Sequence, residues 1–100
     1  MGKAYLEAAY KSAFEVEFKN NGVGYEREKR YEIIYKDHKI GDYYADFIVW
    51  DKIILEVKAS GDNVDEHIKQ TLNYLAASGY KLGIIINFGD DKVKFKRVVL

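Results

Sequence analysis

One hundred residues is the size of one domain, near the lower end of what buries a self-sufficient core. An apolar share of 48%, with 15% aromatic, belongs to the globular class rather than the disordered one. Sixteen basic and sixteen acidic side chains cancel, and cysteine is absent, which excludes disulfides, zinc–thiolate centres and cysteine nucleophiles.

Residues from about Ala4 to Lys19 read as a helix, because Leu6, Ala9, Tyr10, Ala13, Phe14 and Phe18 recur at three- and four-residue spacing. Asn20-Asn21-Gly22 stops it, since these residues tolerate the left-handed backbone that ends helices. Tyr25 to Lys36 alternates loosely and carries β-favouring Tyr and Ile, with Asp37-His38-Lys39 and Gly41 as the turn region that follows. Tyr43 to Val49 and Ile53 to Lys58 are two shorter, more apolar strands separated by Trp50-Asp51-Lys52. Asp62 or Asn63 can cap a second helix, and Asp65 and Glu66 complement its positive end. Val64, Ile68, Leu72 and Leu75 form its expected buried stripe, and Gly79 ends it. Leu82 to Phe88 is a continuous apolar strand suited to burial on both faces. Gly89-Asp90-Asp91 then turns into a last strand, Val93 to Leu100. The order α-β-β-β-α-β-β, with no proline, repeat or linker, predicts one domain over residues 1–100.

The chemistry concentrates in Asp46 and in Glu56-Val57-Lys58. If Trp50-Asp51-Lys52 is a three-residue hairpin loop, Asp46 falls opposite Glu56, with their Cβ atoms about 5 Å apart on one face. Period-two alternation brings Lys58 to that face too. Two carboxylates this close repel unless a cation sits between them, and hard oxygen ligands few in number suit Mg²⁺, which keeps several waters. An exposed acid–lysine cluster on neighbouring strands needs no function. However, Ile48 and Ile54 share the face, so these charges do not lie on an ordinary solvated surface.

Strand-borne Asp46, then Glu56-Val57-Lys58 followed by a helix, resembles the PD-(D/E)XK nuclease superfamily, with Ala45 in place of the proline of its name. Gln70 and Tyr74 look like the Gln-x-x-x-Tyr motif of its RecB-type and lambda-exonuclease-type members, and an i, i+4 spacing sets both on one helical face. More closely, the chain is similar to the GxxExxY proteins of that superfamily. Tyr5 to Tyr10, Tyr44 to Phe47, Glu56 to Ala59, Gln70 to Leu75 and Leu82 to Gly89 follow in their order. Members usually carry another helix upstream, whereas only Met1 precedes Gly2 here, so that helix is missing or has been trimmed.

The resemblance implies a restriction-endonuclease-like α/β fold, a mixed central sheet flanked by two helices. It implies Mg²⁺-dependent hydrolysis of phosphodiester bonds in DNA, or RNA, with Mn²⁺ able to substitute. Asp46 and Glu56 would be metal ligands, Lys58 the catalytic lysine, and Glu7 a first-helix acid bound to metal through water; a solvated helix acid would read the same. Gln70 and Tyr74 would line the site or hold nucleic acid, although Tyr74 could simply pack its ring at the helix–sheet boundary. A homodimer would allow a double-strand cut.

The alternative is a non-catalytic nucleic-acid- or protein-binding module with a vestigial site. Zero net charge counts against strong non-specific DNA binding and leaves only local patches, Arg27, Lys29 and Arg30 or Lys92, Lys94 and Lys96. Solvated strand faces would look the same. No apolar run approaches the roughly 20 residues that span a bilayer, and no signal peptide begins the chain, so a cytoplasmic protein with no membrane partner is expected.

Overall fold

A computed structural model describes residues 2–59, 64–88 and 93–100. The elements are α1 (Lys3–Asn20), β1 (Tyr25–Tyr35), β2 (His38–Val49), β3 (Ile53–Lys58), α2 (Val64–Ser78), β4 (Leu82–Asn87) and β5 (Lys94–Val99). This is the expected α-β-β-β-α-β-β order. The five strands form one sheet in sequence order, antiparallel throughout except between β3 and β4. That parallel pair requires a crossover, and α2 supplies it.

The helix ends follow from local chemistry. At the end of α1, Gly22 takes a positive φ of 67°. The Val23 and Gly22 N–H groups then turn back to the Phe18 and Lys19 carbonyls, a Schellman-type closure. Gly79, with φ of 85°, ends α2 in the left-handed region. The expected caps Asp62 and Asn63, and the turn Gly89-Asp90-Asp91, lie outside the described residues.

The first hairpin is tighter than Asp37-His38-Lys39 suggests. Lys36 and Asp37 both have positive φ, so two residues suffice to reverse the chain and β2 begins at His38. Gly41 is therefore not in a turn. It pairs with Ile33, and the register slips by one between Ile33 and Ile34, leaving Ile40 as the extra residue of a bulge. The second hairpin is as expected: Val49 pairs with Ile53 across Trp50-Asp51-Lys52.

Each helix covers one face of the sheet. Tyr10, Phe14 and Phe18 of α1 pack on Phe47, Val49, Leu55, Val57 and Ile86. The α1 stripe is narrower than the sequence suggests, because Leu6, Ala9 and Ala13 are exposed. On the other face Ile68, Leu72, Tyr74 and buried Leu75 of α2 pack against Tyr43, Ala45, Ile48, Ile54, Ile85 and Val98. Val64, expected in that stripe, is exposed, whereas Thr71 is buried.

The reason is a close approach at Gly83. A Cβ there would lie 2.7 Å from the Thr71 Cγ2 methyl. Thr71 cannot swing away freely, since its χ1 is restricted and its hydroxyl donates to the His67 carbonyl at 2.8 Å. Gly83→Ala is therefore expected to destabilise the fold by about 1–3 kcal/mol in urea unfolding. Removing the obstructing methyl with Thr71→Ser should recover part of that loss. An equal loss in both backgrounds would show that α2 does not lie this close to β4.

Candidate active site

The site is built where β2 and β3 part. Their ladder runs Val49 to Ile53, Ile48 to Ile54 and Phe47 to Leu55, and the described pairing ends there. The next step would set Asp46 opposite Glu56, as the three-residue loop requires. Instead the Asp46 Oδ2 atom accepts the Val57 N–H at 2.8 Å, so a side chain takes the place of a backbone partner where the strands separate.

The same point carries a phase slip. Tyr43 and Ala45 pack on the α2 side, and so does Ile48 rather than Phe47, which faces α1. Across the β1–β2 ladder, Glu28 has φ of 57° and the pairing skips from Arg27–Phe47 to Lys29–Ala45. Asp46 thus lies in reach of both faces. From α1, Lys11 Nζ is 3.4 Å from its Oδ1 and 2.6 Å from Glu28 Oε1. Burial opposes the Lys11 charge, but the two carboxylates more than offset it and raise its pKa.

Glu56 is the buried member of the pair, 6% exposed. Burial first, then the neighbouring Asp46 carboxylate, push its pKa up to about 8, while the Tyr43 hydroxyl and the Lys58 charge pull the other way. Tyr43 donates its O–H to Glu56 Oε1. Burial and the Glu56 charge drive the Tyr43 pKa far upward, so the hydroxyl keeps its proton as donor. The Tyr43 ring stacks on Tyr74 with planes 14° apart, and Gln70 hydrogen-bonds the Tyr74 side chain. A continuous path therefore runs from the Gln-x-x-x-Tyr pair of α2 to the Glu56 carboxylate.

The structure brings together Asp46, Glu56, Lys58, Tyr74 and Gln70 of the expected set. Glu7 is not gathered with them, since among the described residues no three acidic or imidazole groups come close enough to share an ion. Two participants escaped sequence reading. Tyr43 stands three residues before Asp46, an offset that strict alternation would set on the opposite face, so the phase slip hid it. Lys11 had no signal, because its approach to Asp46 depends on the same slip.

The donor set fits a divalent ion of the hard class: two carboxylates, one of them desolvated, with a lysine beside them. Mg²⁺ takes one or two protein carboxylates and fills its remaining positions with water and phosphate oxygen.

A family model described as the PD-(D/E)XK nuclease superfamily matches residues 1–98. The chain belongs to that superfamily. Its fold is shared with solved structures: SSO0001 at TM-score 0.76 and 24% identity, covering 96% of this chain and 51% of that one. The alkaline exonuclease LHK-Exo of Laribacter hongkongensis follows at TM-score 0.69 and 16% identity, covering 97% of this chain and 56% of that one. This PD-(D/E)XK chain thus spans about half the length of these relatives. Among curated proteins, none matches its sequence.

The raised Glu56 pKa has a sign that can be measured. In the metal-free protein the folded carboxyl holds its proton up to about pH 8, whereas the unfolded one releases it near 4.5. Its contribution to stability is complete below the lower value and falls as pH rises through the upper one. Wild-type unfolding midpoints in EDTA should therefore fall more between about pH 5 and 8 than those of Glu56→Gln. Parallel profiles would place Glu56 in water rather than in the core.

Proposed function

We propose that this PD-(D/E)XK domain hydrolyses phosphodiester bonds of nucleic acid, DNA first, with Mg²⁺ or Mn²⁺ as cofactor. The observation that carries this reading is the Asp46–Glu56 pair, two acids meeting with one of them buried and Lys58 alongside. Burying a carboxylate beside another is costly for a purely structural purpose and becomes favourable once a cation is held between them.

Asp46 and Glu56 would hold the ion. When bound, it would supply Lewis acidity at the phosphoryl oxygen and make water more acidic. The chain's own groups have separate tasks. Tyr43 fixes the orientation of Glu56 through its hydroxyl, and its ring is braced by Tyr74. Val57 fixes Asp46 through its N–H. Lys58, on the Glu56 face, holds the attacking water by its proton donors or stabilises charge gathering on the phosphoryl oxygens. Gln70, exposed on α2 beside Tyr74, would meet the substrate strand. One such site cuts one strand, so a double-strand break would take a second copy or two successive nicks.

Lys11 bears on how the site opens. Its ammonium already neutralises part of the Asp46 charge, and with the site filled Lys11 would give up Asp46 and keep Glu28, its shorter contact.

Cleavage of end-labelled DNA with Mg²⁺ or Mn²⁺ tests the reading. Wild-type protein should cut, and Asp46→Ala should lose about a hundredfold or more of that activity. Equal traces from the two proteins would remove the enzyme reading and leave a binding module with a relic of a site.

A further inference from the structure

The strand registers carry the site's chemistry sideways across the sheet. Glu56 pairs with Ile85 and Lys58 with Asn87 in the β3–β4 ladder. Ile85 in turn pairs with Lys96, and Asn87 with Lys94, in the β4–β5 ladder. Residues directly opposite one another point to the same face. Two rows therefore leave the carboxylate centre on the α2 side: Glu56–Ile85–Lys96 and Lys58–Asn87–Lys94. The rows end in a pocket of about 170 Å³ at the first turn of α2, where Val64, Ile85 and Phe95 make a mostly apolar floor and His67, Asn87, Lys94 and Lys96 the polar part of the lining.

The two lysines differ from the other basic cluster. Arg27 is paired with Glu15, Lys29 with Glu26, and Arg30 with Asp42 and Glu32. Those charges are internally neutralised along β1. Lys94 and Lys96 form no ion pair with any described acid and are exposed. In a chain of zero net charge, these are two exposed cations lining a pocket that also touches the first turn of α2, where Asp65 and Glu66 are exposed acids. Lys92, grouped with them in the sequence, lies outside the described residues.

We propose that this pocket is a backbone-phosphate subsite for the nucleic-acid strand, with Lys94 and Lys96 holding phosphates to one side of the bond that is cut. The inference rests on the nuclease reading and adds to it where the strand lies. Two strand spacings of about 4.8 Å separate β3 from β5, so the lysines stand about 10 Å from the Glu56–Lys58 strand. At about 3.4 Å of axial rise per nucleotide, that is roughly three nucleotides of a stacked strand. The substrate would thus pass across the carboxyl ends of β3 and β4, along the Lys58–Asn87–Lys94 row and outside the Ile85 side chain that α2 buries, toward β5. Phosphate contacts of this kind position the strand and carry no base preference.

The test compares the 100-residue chain with Lys94→Ala/Lys96→Ala and with a charge-matched control, Lys36→Ala/Lys52→Ala, whose lysines sit in the two hairpin turns. Binding of a labelled oligothymidylate is followed by anisotropy across a salt series, in an Asp46→Ala background that prevents cutting. Steady-state cleavage is measured with Asp46 intact, and Mn²⁺ affinity by calorimetry. The β5 variant should bind about tenfold more weakly, and its slope of log affinity against log salt should shrink by about 1.4, two contacts at about 0.7 each. The control should keep the parent slope.

In cleavage, the loss should fall on KM, Mn²⁺ affinity should be unaltered, and Lys94→Arg/Lys96→Arg should restore binding. Equal affinity and slope in the β5 variant and the control would overturn the subsite, as would absence of any oligonucleotide binding in the parent. Cleavage by wild type that is indifferent to the β5 change would remove the subsite and leave the nuclease reading intact. Lysine-dependent binding by a chain that cuts nothing would do the reverse.

Discussion

A carboxyl group withdrawn from water at Glu56, with a second carboxylate at Asp46 within its field, is the constraint around which the middle of this fold is arranged. Each neighbouring feature answers part of its cost. Tyr43 gives Glu56 a donor, Lys58 supplies opposite charge, and the Val57 N–H satisfies Asp46 just where the β2–β3 ladder gives out. From the other face, Lys11 brings an ammonium to Asp46 and ties α1 to the same point. Buried charges that keep this many partners specify a single arrangement of the elements that carry them. What the partners leave uncompensated is met by a proton held on Glu56, and a divalent ion would take that proton's place between the two acids.

The helices divide the work of holding that centre. α1 covers the face of Phe47 and Val57 through Tyr10, Phe14 and Phe18, and it places Lys11 one residue beyond that stripe. α2 covers the opposite face and reaches Glu56 indirectly, through the Tyr74–Tyr43 stack. Gly83 sets how closely α2 approaches, by leaving space for Thr71. A glycine on β4 and a threonine on α2 thus help fix the position of a tyrosine ring that supports a carboxylate on β3.

Much of this was legible in the sequence, and the exceptions have physical causes. The Trp50-Asp51-Lys52 loop length determined the β2–β3 register, and with it the meeting of Asp46 and Glu56, because antiparallel pairs keep a constant sum. The alternation of Ile54, Glu56 and Lys58 likewise set their shared face. The slip at Glu28 and Asp46 could not be read, since a positive φ at a glutamate has no signature in composition. Lys11 was hidden for the same reason. The burial of Thr71 in place of Val64 depended on Gly83, twelve positions from Thr71, and helical periodicity does not see such a partner. The turn at Lys36-Asp37 was misplaced because both residues adopt a conformation more often left to glycine or asparagine.

Net neutrality conceals an uneven charge distribution. The basic residues of β1 are spent in pairs with Glu15, Glu26, Glu32 and Asp42, whereas Lys94 and Lys96 of β5 are exposed and unpaired with any described acid. Everything rests, in the end, on whether the acidic centre is a place for an ion. Diffraction from crystals soaked in Mn²⁺, recorded near the manganese absorption edge, asks this directly. An anomalous peak between the carboxylates of Asp46 and Glu56, absent from Glu56→Gln crystals, is the expected result. Manganese bound only elsewhere, or a peak that survives the glutamine substitution, would contradict the metal-centre reading.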